Sequence, residues 1–121
     1  MSDETAAGVI RAYYDAWTTG DFDRAAALLA AGLLVEVPVN EYPTAESFAA
    51  AVKGFGSLAA KVDLIAALSD DDEGMLLYDM DVPALGQVLR VAEHLTVADG
   101  KITRIRQIHD TVAVRAAGFA G

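Results

Sequence analysis

The chain has 121 residues, 54% of them hydrophobic, no cysteine and a formal net charge of −9. That length suits one domain over residues 1–121, with a single core and room for a modest cavity. The acidic balance argues against nucleic acid or an anionic membrane as partner, and the missing cysteines exclude disulfides, thiolate nucleophiles and thiolate zinc sites. The start of the chain, Met1-Ser2-Asp3-Glu4, shows no signal peptide or spanning segment, so a cytoplasmic protein is expected.

The first element is a helix, with Ser2 or Asp3 as its cap. Val9, Ile10, Tyr13, Ala16 and Trp17 recur at helical spacing, and Tyr13 and Trp17 share one face. Thr18-Thr19-Gly20 ends it. Asp21 caps a second helix through Phe22, Ala25, Leu28 and Leu29, closed by Gly32. Leu33 to Pro38 reads as a short strand, with Pro38 suggesting an edge or a bulge, because proline cannot donate to a ladder. Thr44 caps a third helix carrying Phe48, Val52 and Phe55 on one stripe.

After Gly56 the period changes from helix to strand. Val62, Leu64, Ala66 and Leu68 alternate with more polar positions, and Ser69 to Gly74 is an acidic turn. Met75 to Val82 is the next strand, with Leu76, Tyr78, Met80 and Val82 on one face and Asp79 and Asp81 on the other. Pro83 to Gly86 is a tight connection. No pattern is readable from Ala113 to Gly121. Three helices in the N-terminal half and a mostly antiparallel sheet make an α+β fold, a strongly curved cone enclosing a pocket.

Leu89 to Thr111 holds the informative hairpin. Leu89, Val91, Leu95 and Val97 alternate with polar residues, yet Glu93 sits on the apolar side. A carboxylate there must be paired, protonated or facing a wet cavity. A two-residue Asp99-Gly100 turn places Glu93 opposite Arg106, and an ion pair then explains it. A three-residue loop places it opposite Ile105, with Gln107 and His109 on the same face. The second register separates apolar from polar residues more cleanly and is preferred. It puts a carboxylate, an amide and an imidazole in an apolar surround, with Leu95 and Ile105 beside them and Trp17, Val37 and Phe55 opposite.

No phosphate loop, His-Glu-x-x-His or nucleophile elbow is present, and with two histidines and no cysteine no metal or cofactor is expected. The chemistry open to Glu93, Gln107, His109 and Tyr13 is proton transfer. Burial raises a carboxyl pKa toward neutrality, where a general acid or base works best. An imidazole already titrates there, and Tyr13 and Gln107 can donate to a developing oxyanion. The bland alternative is a buried Glu93–His109 pair that serves packing alone. Asp79 and Asp81 point to solvent by alternation. They would point into the cavity only if the cone were apolar outside as well, as in a dimer.

Tyr13, the Trp17-Thr18-Thr19-Gly20-Asp21 junction, Val35-Glu36-Val37-Pro38 and the closing Asp99-Gly100-Lys101-Ile102-Thr103-Arg104-Ile105-Arg106 resemble the SnoaL-like and ketosteroid isomerase-like proteins of the nuclear transport factor 2-like superfamily. The resemblance runs from about Ala6 to Thr111. It implies a cone of three helices on a bent sheet, commonly a homodimer, in a family of isomerases, cyclases, dehydratases, epoxide hydrolases and non-catalytic members. Tyr13 matches the isomerase tyrosine that donates to the oxyanion, and Glu93 falls where that enzyme keeps a protonated aspartic acid. Val37 stands where it has its proton-shuttling aspartate. Compared with limonene epoxide hydrolase, Asp81 matches one catalytic aspartate, Asp79 replaces an arginine and Gln107 replaces the second aspartate. The resemblance turns Asp79, Asp81 and His109 toward the pocket. The expected ligand is a hydrophobic polyketide, terpenoid or steroid-like compound. The expected roles are His109 as base, Glu93 as acid or as the group orienting His109, Tyr13 and Gln107 as donors, and Asp81 as alternative base. A non-catalytic binding or dimerisation module is the competing expectation.

Overall fold

The computed structural model describes residues 5–118. The first helix, α1 (Ala6–Thr18), is capped by Thr5, whose side chain accepts from the Gly8 amide, and not by Ser2 or Asp3, which lie outside the described residues. Its buried stripe is Val9, Ile10, Tyr13, Ala16 and Trp17, with Tyr14 joining it. Asp21 caps α2 (Phe22–Ala27) as expected, accepting from the Arg24 amide. That helix stops earlier than the sequence suggests. Leu29 to Gly32 belong to strand β1 (Leu29–Glu36), because the Leu28 carbonyl is taken by the Ile102 amide at 2.8 Å and Leu29 pairs with Ile102. An alanine-rich run looks helical until a neighbouring strand claims its backbone.

Helix α3 (Ala45–Gly56) carries a capping box between Thr44 and Ser47. Strands β2 (Lys61–Asp70), β3 (Glu73–Val82), β4 (Gln87–Ala98) and β5 (Lys101–Ile108) follow, and a short helix α4 (Val112–Ala116) closes the described chain. The α4 turn was unreadable because five residues, mostly small, show no periodicity. The sheet is five-stranded, ordered β1-β5-β4-β3-β2. All pairs are antiparallel except β1 with β5. Helices cover one face of this curved open sheet. No helix among the described residues is long and apolar enough to cross a membrane.

The β4–β5 hairpin departs from both expected registers. Its turn has two residues: Ala98 pairs with Lys101, and Asp99 and Gly100 take φ of 53° and 74°. Positive φ at both positions is what a type I′ turn requires and Asp-Gly supplies. One step later the register shifts, so that Val97 pairs with Ile102 but Thr96 pairs with Arg104. Thr103 is the extra residue of a β-bulge. Beyond it Leu95 meets Ile105 and Glu93 meets Gln107. A regular ladder would have turned Arg104 and Arg106 onto the covered face opposite Leu95 and Glu93. The bulge avoids burying two guanidinium groups and keeps Ile105 inside.

A second bulge lies in β2. Leu64 pairs with Tyr78 and Ala66 with Leu77, leaving Ile65 extra. Val62 and Leu64 upstream are half-buried, whereas Leu68 downstream is 73% exposed. The acidic turn shrinks to Asp71-Asp72, between paired Asp70 and Glu73.

Candidate functional site

Where α3 stands away from the sheet, the covered face is hollow. The cavity has a volume of about 410 Å³. Its floor is the inner face of β3 and β4, through Tyr78, Met80, Leu89, Val91 and Glu93. Tyr13 and Trp17 enter from α1, while Phe48, Val52 and Phe55 enter from α3. Val37, Val39 and Tyr42 come from the segment between β1 and α3, and Val114 from α4. Tyr42 packs edge-on against Phe48, with ring centroids 5.7 Å apart. Tyr78 sits 5.5 Å from Trp17 and 5.8 Å from Tyr14, centroid to centroid.

One carboxylate, Glu93, faces this space among the described lining residues. It is 1% exposed. The Gln107 Nε2 group donates to its Oε2 at 2.5 Å, across a directly facing pair of strand residues. Its other oxygen, Oε1, is buried with no hydrogen-bond partner among the described residues. Burial raises the Glu93 pKa to about 7, against the lowering effect of the Gln107 hydrogen bond. Burial likewise raises the phenols of Tyr13 and Tyr78 well above the ordinary tyrosine value, and the Glu93 charge raises them further. Both remain protonated, hence potential donors, across the physiological range.

His109 follows the last residue of β5 and also lines the cavity. Its Nδ1 lies 2.9 Å from the Asp110 carbonyl oxygen. A carbonyl can only accept, so Nδ1 carries the hydrogen and Nε2 is the basic nitrogen of the neutral ring. The side-chain partner of Glu93 is Gln107, not His109, so the expected orientation of His109 by Glu93 is replaced by an acid–amide pair.

The remaining expectations divide by position. Trp17, Val37 and Phe55 line the cavity. Leu95 and Ile105 do not: each is 0% exposed, packed against the other in the solid core. Asp79 and Asp81 are on the opposite face from the cavity, because Tyr78 and Met80 take the inward positions of β3. Asp79 accepts from Arg90 Nε and Nη2 at 2.8 and 2.9 Å, and these hydrogen bonds hold its carboxyl below the usual range. Asp81 is exposed and pairs in register with Lys61 and Val88. Neither aspartate reaches the cavity, which removes Asp81 as a base there. Tyr78, Met80, Leu89 and Val91 were legible as inward residues by alternation, but Val114 and the Val39–Tyr42 segment carried no signal. No group of three or more histidine, aspartate or glutamate side chains gathers to hold a metal among the described residues.

Residues 10–105 match the family model of the SnoaL-like domain. The chain belongs to the SnoaL-like family. A crystal structure of a Kribbella flavida protein is 31% identical to this SnoaL-like chain, covering 95% of it and 94% of that protein, with a TM-score of 0.86. A candidate ketosteroid isomerase from the same organism shares the fold at 17% identity, over 87% of this chain and 77% of that one, with a TM-score of 0.77. A bacterial protein from Silicibacter pomeroyi, with a cystatin-like fold, aligns at 16% identity over 92% of this chain and 82% of its own, with a TM-score of 0.79. A search of curated proteins finds no match. The fold is thus that of the nuclear transport factor 2-like and ketosteroid isomerase-like proteins.

Proposed function

We propose that this SnoaL-like protein binds a hydrophobic small molecule in the α3-covered cavity and moves a proton on it. The observation that carries the reading is a buried carboxyl, Glu93, poised near neutrality in an otherwise apolar, aromatic enclosure. Glu93 is the acid–base group nearest the floor, held by Gln107. His109 is a second proton carrier at the end of β5. The phenols of Tyr13 and Tyr78 can donate to an oxygen on which negative charge develops. Isomerisation, cyclisation, dehydration and epoxide opening all fit that set of side chains. Polyketide, terpenoid or steroid-like compounds fit the enclosure.

The test has two stages. Thermal-shift screening with hydrophobic small molecules finds ligands, because binding to the folded form alone raises Tm. Deuterium incorporation next to the carbonyl of bound hydrophobic ketones, followed by NMR, then reads proton transfer. Glu93→Gln is expected to abolish the exchange while leaving binding. Exchange at the wild-type rate in that variant would remove Glu93 from the chemistry.

A binding protein without catalysis is the second reading, and Val37 favours it. This side chain lines the cavity where the resembling isomerases place their proton-shuttling aspartate. Ligands without any exchange would select this reading. The same resemblance supports a homodimer through the outer sheet face, where Met75, Val88 and Ile108 stand exposed. Light scattering on the eluting protein checks it.

A further inference from the structure

The polar end of the cavity is unbalanced. Glu93 Oε1 is buried in its wall with no hydrogen bond, and the opposite oxygen is already committed to Gln107. No lysine or arginine lines the cavity among the described residues; His109 is the one side chain there that can carry positive charge. The same cavity is lined by electron-rich rings: Tyr13 and Trp17 from α1, Tyr78 on the floor, and Phe48 and Phe55 from α3. Aromatic faces attract a desolvated cation, as does an unpaired carboxylate. The chain's net charge of −9 favours the approach of cations over anions. A counter-charge supplied from within the chain would have closed this site; none is placed there among the described residues.

We propose that the ligand class of this cavity is the hydrophobic amine, bound as its ammonium ion, with the N–H groups donating to Glu93 Oε1 and the apolar body lying against Trp17, Tyr78 and α3. The assignment rests on the reading of the cavity as a small-molecule site and narrows it. A neutral ketone or alcohol could take one hydrogen bond from a protonated Glu93. An ammonium also stabilises the ionised carboxylate and replaces the cation that the fold leaves out. The groups facing Glu93 are Tyr13 from α1, Tyr78 from β3 and Gln107 from β5, with His109 at the end of β5. The two phenols keep their protons in the range that matters.

Matched probes test it on the full chain. Trp17 is the single tryptophan and lines the cavity, so its fluorescence reports binding of 1-aminoadamantane and of its neutral counterpart 1-adamantanol. At about pH 8.5 the amine is still protonated, as lysine is, and Glu93 is ionised. The amine is expected to bind about tenfold or more tighter than the alcohol there. At about pH 5.5, where Glu93 is protonated, the ratio falls to within about threefold. Glu93→Gln is expected to keep alcohol binding within about threefold and to lose the preference for the amine. Equal or weaker amine binding at the higher pH, with the alcohol still bound, overturns amine selection and leaves the cavity reading standing. A preference that survives in Glu93→Gln overturns the seat at Glu93 and assigns it to the general acidity of the chain. Binding of neither probe overturns both readings. Should Glu93→Gln fail to fold, the pH dependence of the wild-type ratio decides alone.

Discussion

Two ends of the same sheet face behave differently. At one end Leu95, Val97, Ile102 and Ile105 pack into a solid core under α1, and Gly74, the partner of Leu95, lies so close that a Cβ there would sit 2.7 Å from Ile10 Cδ1 and 2.9 Å from the Leu68 carbonyl. At the other end Leu89, Val91 and Glu93 floor an open cavity. The strands, the alternation and the residue types are nearly the same. What differs is the cover: α1 lies close over Gly74, while α3 buries only Phe48 completely and offers its other large side chains to the hollow. The solid end holds the fold together, and the hollow end is left open.

That contrast can be broken from the solid side first. Leu95→Ala removes a fully buried side chain from the core, and a loss of about 3–4 kcal/mol is expected in urea unfolding. Glu93→Gln sharpens the contrast by acting in the opposite direction. The folded-state pKa of Glu93, about 7, lies above the ordinary 4.5. Between those values the unfolded chain releases a proton that the folded chain keeps, so wild-type stability falls as pH rises through the window and is lowest above it. The variant is therefore expected to be more stable than wild type by about 2–3 kcal/mol at pH 8 and nearly equal at pH 4.5. Unfolding curves at the two pH values check this, and a destabilised variant at pH 8 would show that Glu93 is ionised at little cost.

Gly74→Ala tests the close approach of α1. Ile10 can turn its terminal methyl aside but the Leu68 carbonyl cannot, so a loss of about 1–2 kcal/mol is expected by the same unfolding measurement. The smallest effect belongs to Asp79→Asn on the outer face. Its partner Arg90 is solvated, and Tm is expected to move by no more than about two degrees.

The helices and most strands were legible because their signals are local. The stripe of α1, the Thr44 cap of α3 and the alternation of β3 and β4 each follow from a few neighbouring residues. The family was legible too, from Tyr13, the Trp17–Asp21 junction and the closing hairpin, and with it the cone. The register of that hairpin was not. Counting by twos from Asp99-Gly100 leads to Arg106 opposite Glu93, and nothing in Thr103 itself announces a bulge. The grouping of Glu93, Gln107 and His109 could still be anticipated, because separating apolar from charged residues demands it whatever device achieves it. Sequence alternation also placed Asp79 and Asp81 correctly outside, where the resemblance alone would have turned them inward. The end of α2 and the whole of α4 depend on contacts between distant segments, which a local pattern does not contain.

The Thr103 bulge also decides which side chain Glu93 does without. In the regular hairpin Arg106 would neutralise Glu93 permanently, and the hollow end would hold a sealed, self-sufficient salt bridge. With the extra residue taken up as a bend, Arg106 instead meets Glu36 at 2.7 Å on the outer face. A single residue of slack in one strand thus separates a hairpin that neutralises its own buried carboxyl from one that leaves an oxygen of that carboxyl without a partner among the described residues.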